Sequence, residues 1–496
     1  MQETGLQPGE QPHLVQGMGL FSATTIVMGS MIGSGIFIVS ADMSRTLGSP
    51  ALLIAAWLVT AAMTLIGALS YGELAAMMPT AGGQYVYLRE ALGPLWGFLY
   101  GWTLFLVIQT GTVAAVGVAF GKFLGVFFPS VSQTNWIWHV GSGNVGLSTA
   151  NLTAIVIVIL LTWTNTRGVK AGAAVQNVFT SAKVLALLAV IAVGLFAHNA
   201  AAIAANFGHN FWSLGPAALG GMSSGLSHSG PTMASGGEIL LNVAIFVAVV
   251  QVGSLFSSDA WNNVTFTAGE IKNPKRNLPL SLILGAGTVL VLYIACNFVY
   301  LSVLPLSAIQ SAPQDRVATA VMQAAFGSVG AKIMAGAILV STFGCCNGML
   351  LAGARVYYAM SQDGLFFKSV GKLDAKTGVP VNSLWMQCAW TCLLCLSGQY
   401  GNLLDYVIFA VLVFYILTIT GLFVLRRTRP DAPRPYKAIG YPVLPALYIV
   451  MAAWICVVLL RYKPQYTWPG LLLVLLGVPV YFVWQRRSVR ETAQGS

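Results

Sequence analysis

Ten stretches without a single Asp, Glu, Lys or Arg dominate this sequence, and they leave few folds open. They are Thr46–Gly72, Gly97–Gly121, Phe123–Thr166, Val184–Gly237, Ile239–Ser258, Asn277–Gln314, Thr377–Leu404, Tyr406–Leu425, Ala438–Leu460 and Pro464–Gln485. A helix that crosses the hydrocarbon core needs about 20 apolar residues; divided at their turn signals, the stretches predict about twelve such helices. The apolar residues run continuously and do not alternate, which excludes a β-barrel. At 56% hydrophobic and 8% charged, the chain is not an ordinary soluble domain either. It reads as an all-α polytopic membrane protein.

The placement of charge gives the expected topology. Of the 25 Lys and Arg residues, eighteen fall in the tails and even-numbered loops and six in the odd-numbered loops; Lys183 alone lies inside a span. Cytoplasmic loops carry the basic excess of membrane proteins. Both termini are therefore expected in the cytoplasm. The basic balance is a topology signal with anionic lipid as its neighbour, not a nucleic-acid footprint. All seven cysteines fall within predicted helices, so no structural disulfide and no disulfide-linked subunit is expected. The polar tail, 1–17, lacks a basic n-region and a cleavage site, so the first helix is expected to stay in the mature protein.

Two spans are interrupted. The first, from about Met18 to Ser40, contains GSMIGSGIF at 29–37, with three glycines in seven residues. Each glycine weakens a helix by roughly 1 kcal/mol relative to alanine. In hydrocarbon, freed backbone groups are tolerated only beside protein or a polar cavity, so a polar substrate is expected at that depth. The second interruption is in helix 6, at GSLFSSDAWN, 253–262. Asp259 reads there as the N-cap of a second half-helix, since Asp, Asn and Ser bond their own backbone; a side-chain ligand or proton carrier is the competing role. Breaks in helices 1 and 6, five apart, place two five-helix repeats in opposite orientation, a pattern that points to a transporter's binding site.

The expected division is a cytoplasmic tail at 1–17, helices 1–5 over 18–197, and an extracellular loop at 198–237. Helices 6–10 follow over 238–425, then a basic cytoplasmic loop at 426–440, helices 11–12 over 441–485 and a tail at 486–496. Helix 1 is expected to end near Ser40, with a turn from Asp42 to Pro50. Residues 79–90 are expected to form an inner loop, and the Ser-, Asn- and Gly-rich segment before helix 4 an outer one.

With these motifs the chain resembles the amino acid–polyamine–organocation superfamily, and within it the L-type amino acid transporter family. The matching motifs are GSMIGSGIF, WN at 261–262, TAGEIKNPKRNLP ending at Pro279, YGELA from Tyr71, PTAGG from Pro79, and ARVYYAMSQDG over 354–364. The resemblance spans roughly Leu14 to Arg487. It implies an inverted-repeat fold of the LeuT type with two added helices. It implies that amides at Ser34 and Gly35, with the Ser34 hydroxyl, hold the substrate carboxylate. Carbonyls at Met31, Phe256 and Asp259 would take its ammonium, with Phe256 closing over it; Gly33, Ser257 and Ser258 belong to the same two breaks. Lys183 would stand where sodium-coupled relatives bind an ion, near Ser341 and Thr342 of helix 8.

The implied activity is sodium-independent exchange of neutral L-amino acids, without a cofactor or metal, by a monomer or weak dimer; the outer loop between helices 3 and 4 lacks the cysteine by which animal members link a subunit, so a bacterial inner membrane protein that needs no ancillary subunit is expected. A proton-coupled or cation-preferring permease that uses Asp259 is the alternative. Gln109 and Thr110, mid-helix in helix 3, either line the side-chain pocket or bond between helices. Glu73 reads as structural. No metal-spaced or Ser–His constellation supports an enzyme, and no ring-forming filter supports a channel.

Overall fold

Glycine, serine and proline decide where the long apolar runs start, stop and break. The computed structural model describes residues 17–140, 145–167, 169–209, 211–213, 236–374, 377–396 and 400–494. The first helix, α1 (Leu20–Met31), unwinds at Ile32 into extended backbone. A single 3-10 turn at Gly35–Phe37 follows, and α2 (Val39–Leu47) resumes the helix. Gly48, at φ 62°, closes α2 in the left-handed conformation that glycine adopts without cost. Ser49 then caps α3 (Pro50–Met77), its hydroxyl accepting the Leu52 amide with Pro50 in the first helical turn.

The expected turn at Asp42–Pro50 is thus corrected to Gly48 and Ser49 alone, because Asp42 to Leu47 continue the helix. Half of the expected inner loop is also helical, as α4 (Gln84–Leu92). Next is α5 (Pro94–Leu124), which widens into a π-helical turn at Leu104–Ile108. The outer segment is not merely a loop. Trp136–His139 and Gly146–Ser148 pair as an antiparallel ribbon before α6 (Thr149–Asn165).

The chain continues through α7 (Val169–Phe196) and the short α8 (Ala200–Phe207), capped by Asn199. Most of the expected extracellular loop, 214–235, lies outside the described residues. Helix α9 (Gly236–Ser257) ends at the second break, and only a four-residue turn, α10 (Asn263–Phe266), resumes it. The remainder is α11 (Pro274–Val303), α12 (Leu306–Gln310), α13 (Val317–Gln362), α14 (Val381–Cys395), α15 (Tyr400–Thr428), α16 (Val443–Tyr462) and α17 (Pro464–Gln494). Phe326 and Gly327 kink α13 near its start.

Among the described residues, nine helices are long and apolar enough to cross a membrane by length and composition. Large apolar side chains such as Val156, Val178, Leu185 and Val291 lie exposed around the bundle, as a lipid-facing surface requires. The protein is a multi-pass membrane protein. Its interior packs α1 against α7, α11 and α13, so the first break is enclosed by three full-length helices.

Candidate functional site

The two breaks meet face to face. A Cβ placed on Gly35 would fall 2.1 Å from the Ser257 hydroxyl and 2.8 Å from the Ser257 Cα, so only glycine allows this approach. From α11, the Tyr293 hydroxyl lies 3.1 Å from both the Met31 and the Ser257 carbonyl oxygens, one from each break. Ala260 stands at φ 63°, a conformation that side chains rarely adopt, and turns the chain between α9 and α10. Strained backbone of this kind persists only where its surroundings hold it, and it gathers at functional sites.

Helix α1 ends with carbonyls that no longer have intrahelical partners, and these form the negative end of its dipole. Side chains from α7 and α13 satisfy them. The Lys183 ammonium, fully buried, donates to the Gly29 carbonyl at 2.7 Å and the Ile32 carbonyl at 3.0 Å. Ser341 donates to the Ile32 and Gly33 carbonyls at 3.3 and 3.2 Å, and the Cys345 thiol approaches the Ser30 carbonyl at 3.3 Å. Thr342 is not part of this set. Its hydroxyl turns back to Ile338 and Leu339 of its own helix.

Ser34 and Gly35 lie fully enclosed in the unwound stretch, and Phe256 is buried in the last turn of α9. The Ser257 hydroxyl donates to the Gly253 carbonyl, 2.8 Å away. Asp259 does not cap the second half-helix, which corrects the cap expected from sequence. Asn262 holds that position, and α10 has no side-chain cap. The Asp259 carboxylate instead accepts the Tyr415 hydroxyl of α15 at 2.6 Å, a partner distant in sequence. Bonds from a short polar side chain to its own backbone compete with distant partners of this kind.

Two narrow cavities flank that pair. One is lined by Asp259, Asn262, Asn263, Gln109, Tyr100 and Met349 among others, the second by Ser258, Asp259, Trp261, Thr64, Tyr415 and Tyr448. Gln109 therefore reaches a cavity wall, although its amide also donates to the Met349 carbonyl at 2.6 Å. Thr110 does not; its hydroxyl bonds the Phe105 carbonyl across the π-helical turn. Sequence reasoning missed Tyr293, Tyr415 and Asn263, and named Asn262 only within the second break and the WN motif. Their signal was a polar atom on an apolar span, which in a membrane interior needs a partner.

Ion pairs close both ends of the bundle. At the basic end, Arg355 of α13 grips Glu270 with Nε to Oε1 at 2.6 Å and Nη2 to Oε2 at 3.3 Å, both side chains about 9% exposed. The Glu270 carbonyl also accepts the Gly17 and Met18 amides at 3.0 Å, which ties the start of the described chain to the segment after α10. Arg89 and Tyr85 of α4 both bond Asp363. Burial, and then that carboxylate, push the Tyr85 hydroxyl well above its ordinary range and keep it a donor. At the opposite end Asp315 takes Arg45 at 2.8 Å and Lys122 at 3.5 Å. Glu73 is buried beneath Arg426, Arg434 and the Ala438 amide, a structural anchor.

The model of the amino acid permease family matches residues 18–482. Large neutral amino acids transporter small subunit 2 of Homo sapiens is 30% identical over 478 residues, covering 95% of this chain and 81% of that protein. The serine/threonine exchanger SteT of Bacillus subtilis is 28% identical over 481 residues, 97% of this chain and 99% of its own. Asc-type amino acid transporter 1 of Mus musculus is 27% identical over 482 residues, 96% of this chain and 82% of its own.

Proposed function

Because the chain belongs to the amino acid permease family, and so transports amino acids, we propose that it is a sodium-independent exchanger of neutral L-amino acids. The relatives named as a serine/threonine exchanger and a large neutral amino acids transporter support both the substrate class and the exchange mode. It works in a bacterial inner membrane with both termini cytoplasmic, as a monomer or weak dimer without an ancillary subunit.

One observation carries the sodium independence. The buried Lys183 ammonium holds the Gly29 and Ile32 carbonyls at the end of α1. Oxygen atoms gathered there would serve a sodium ion equally well, and a fixed cation in the same place makes the ion unnecessary. The substrate α-carboxylate meets the Ser34 and Gly35 amides, where the chain re-enters helical turns and amide donors point outward. Its ammonium meets carbonyls of Met31, Phe256 and Asp259; the Tyr293 hydroxyl, shared between Met31 and Ser257, holds the two breaks in register. Alternating access rocks α1–α3 and α9–α11 against α5, α6, α13 and α14, which requires the ion pairs at each end to part in turn.

A second reading, proton coupling or preference for cations through Asp259, draws on the buried carboxylate in the cavity wall. Purified protein in liposomes preloaded with serine separates the two. Uptake of labelled serine that needs internal amino acid, ignores sodium and is flat with pH supports the exchanger. Uptake that vanishes without sodium, or that follows a proton gradient and loses that dependence in Asp259→Asn, overturns it.

A further inference from the structure

At the basic end, three exposed cations lack a counter-charge. Lys275 and Arg276 stand in the first turn of α11, which holds no acidic residue, and Lys437 lies in the loop that leads to α16. Among the described residues none of the three has an ion pair or a side-chain hydrogen bond. One contact brings them together. A Cβ placed on Gly72 of α3 would fall 2.9 Å from the Tyr436 ring and 3.4 Å from Pro279 of α11. Lys437 follows Tyr436 directly. Lys275 and Arg276 lie one turn before Pro279 on the same helix face, nearer the helix start.

The carboxylates of this region are engaged elsewhere. Arg426, Arg434 and the Ala438 amide hold Glu73, and Arg355 holds Glu270. Asp431, in the turn after α15, pairs with none of the three cations. Like charges gathered in this way repel one another and attract an anion. Beside them the surface turns apolar. Ile439, Val443 and Leu447 at the start of α16 and Leu284 of α11 are all exposed, and the last continues into the lipid-facing Val291. A small soluble anion would match the cations alone. A phospholipid with an anionic headgroup matches the cations with its phosphate and the apolar residues with its chains.

We propose that the seam between the start of α11 and the loop before α16 binds an anionic phospholipid of the adjacent leaflet. Its headgroup phosphate sits among Lys275, Arg276 and Lys437, and its chains run along Val443, Leu447 and Leu284. The site lies outside both breaks and does not depend on the exchange reading. It bridges α11, one of the helices proposed to rock, and α16, which is not among them. The bound headgroup also offsets the repulsion among the three cations, so it stabilises the fold locally.

The test offers the purified full chain equal amounts of phosphatidylglycerol and phosphatidylcholine and reads the retained lipid by native mass spectrometry. Phosphatidylglycerol is expected to be retained at least about fivefold over phosphatidylcholine, and each cation removed should lower that ratio by about fivefold. Lys437→Gln and the double variant Lys275→Gln/Arg276→Gln both carry this expectation. Lys332→Gln, which removes an exposed cation of α13 towards the opposite end, should leave the ratio unchanged. Melting temperatures in phosphatidylcholine alone check that the variants fold, and phosphatidylglycerol should raise the melting temperature of the unaltered protein more than that of the double variant. Equal retention of the two lipids by the unaltered protein would overturn the site. So would an unchanged ratio in both variants, or a loss as large in Lys332→Gln. Displacement of the lipid by excess inorganic phosphate would make this a site for soluble anions and equally overturn the proposal.

Discussion

The Lys183 ammonium lies 2.7 Å from the carbonyl oxygen of Gly29, a hydrogen bond between α7 and the last turn of α1. It is a full charge at 0% exposure, and it donates to two main-chain oxygens of the first break. A charge buried at this depth is by default functional. Lys183→Met keeps the length of the side chain, strands the Gly29 carbonyl and leaves the Ile32 carbonyl to Ser341 alone. At about 1–3 kcal/mol for the stranded group, exchange should fall by about tenfold. Initial rates of serine exchange, normalised to reconstituted protein, check this; a rate within twofold of the unaltered protein would count against a central role for the charge.

Gly35 is predicted to be intolerant of any side chain. Its Cβ position lies 2.8 Å from the Ser257 Cα, and backbone cannot swing aside as a flexible side chain can. Gly35→Ala should force the two breaks apart and abolish exchange. Gly19, with nothing within 4 Å of its Cβ position, provides the control, and Gly19→Ala should exchange normally. Equal activity in the two variants would refute the close approach.

Tyr293→Phe removes one hydroxyl that serves both breaks but leaves the ring packed edge-on to Trp57, centroids 5.6 Å apart. Losing the bond should cost about 1–3 kcal/mol. The expected signature is a raised KM for substrate with the protein still folded, because the register of the two binding elements is loosened. A KM that does not move while the melting temperature falls would make Tyr293 a packing residue only.

Glu270 and Arg355 should behave as a pair. Removing one partner of a buried ion pair costs about 3–5 kcal/mol, because the other charge is left unpaired, whereas neutral replacements of both are tolerated far better. Glu270→Gln or Arg355→Gln alone should therefore lower thermal stability and exchange more than the double variant does. A double-mutant cycle on melting temperature measures this; additive losses would show that the two charges do not communicate. If they do, their separation belongs to the opening of the basic end.

Much of the architecture was legible without coordinates. The charge-free runs, the glycine-rich GSMIGSGIF, the serines and aspartate at 253–262 and the solitary Lys183 are all local facts about cost in hydrocarbon. Element boundaries were less legible. Asp42 to Leu47 are polar enough to suggest a turn yet continue as helix, because Gly48 is the first residue free to adopt the left-handed stop. The ribbon of Trp136–His139 and Gly146–Ser148 depends on strand pairing across a loop, which composition does not reveal.

At the site, the difference lies in who pairs with whom. Sequence alone determined that the chain is a membrane bundle interrupted twice, and that Lys183 must be buried and paired, since the bilayer penalises a charge or a freed amide whatever its neighbours are. Only the tertiary structure decided that Asp259 turns to Tyr415, 156 residues away, that Thr110 and Thr342 turn back on their own helices, and that the Asn263 amide has no partner among the described residues. Each of those polar groups has a local and a distant way to be satisfied, of similar energy. The choice falls to whichever donor or acceptor the packed helices bring within about 3 Å.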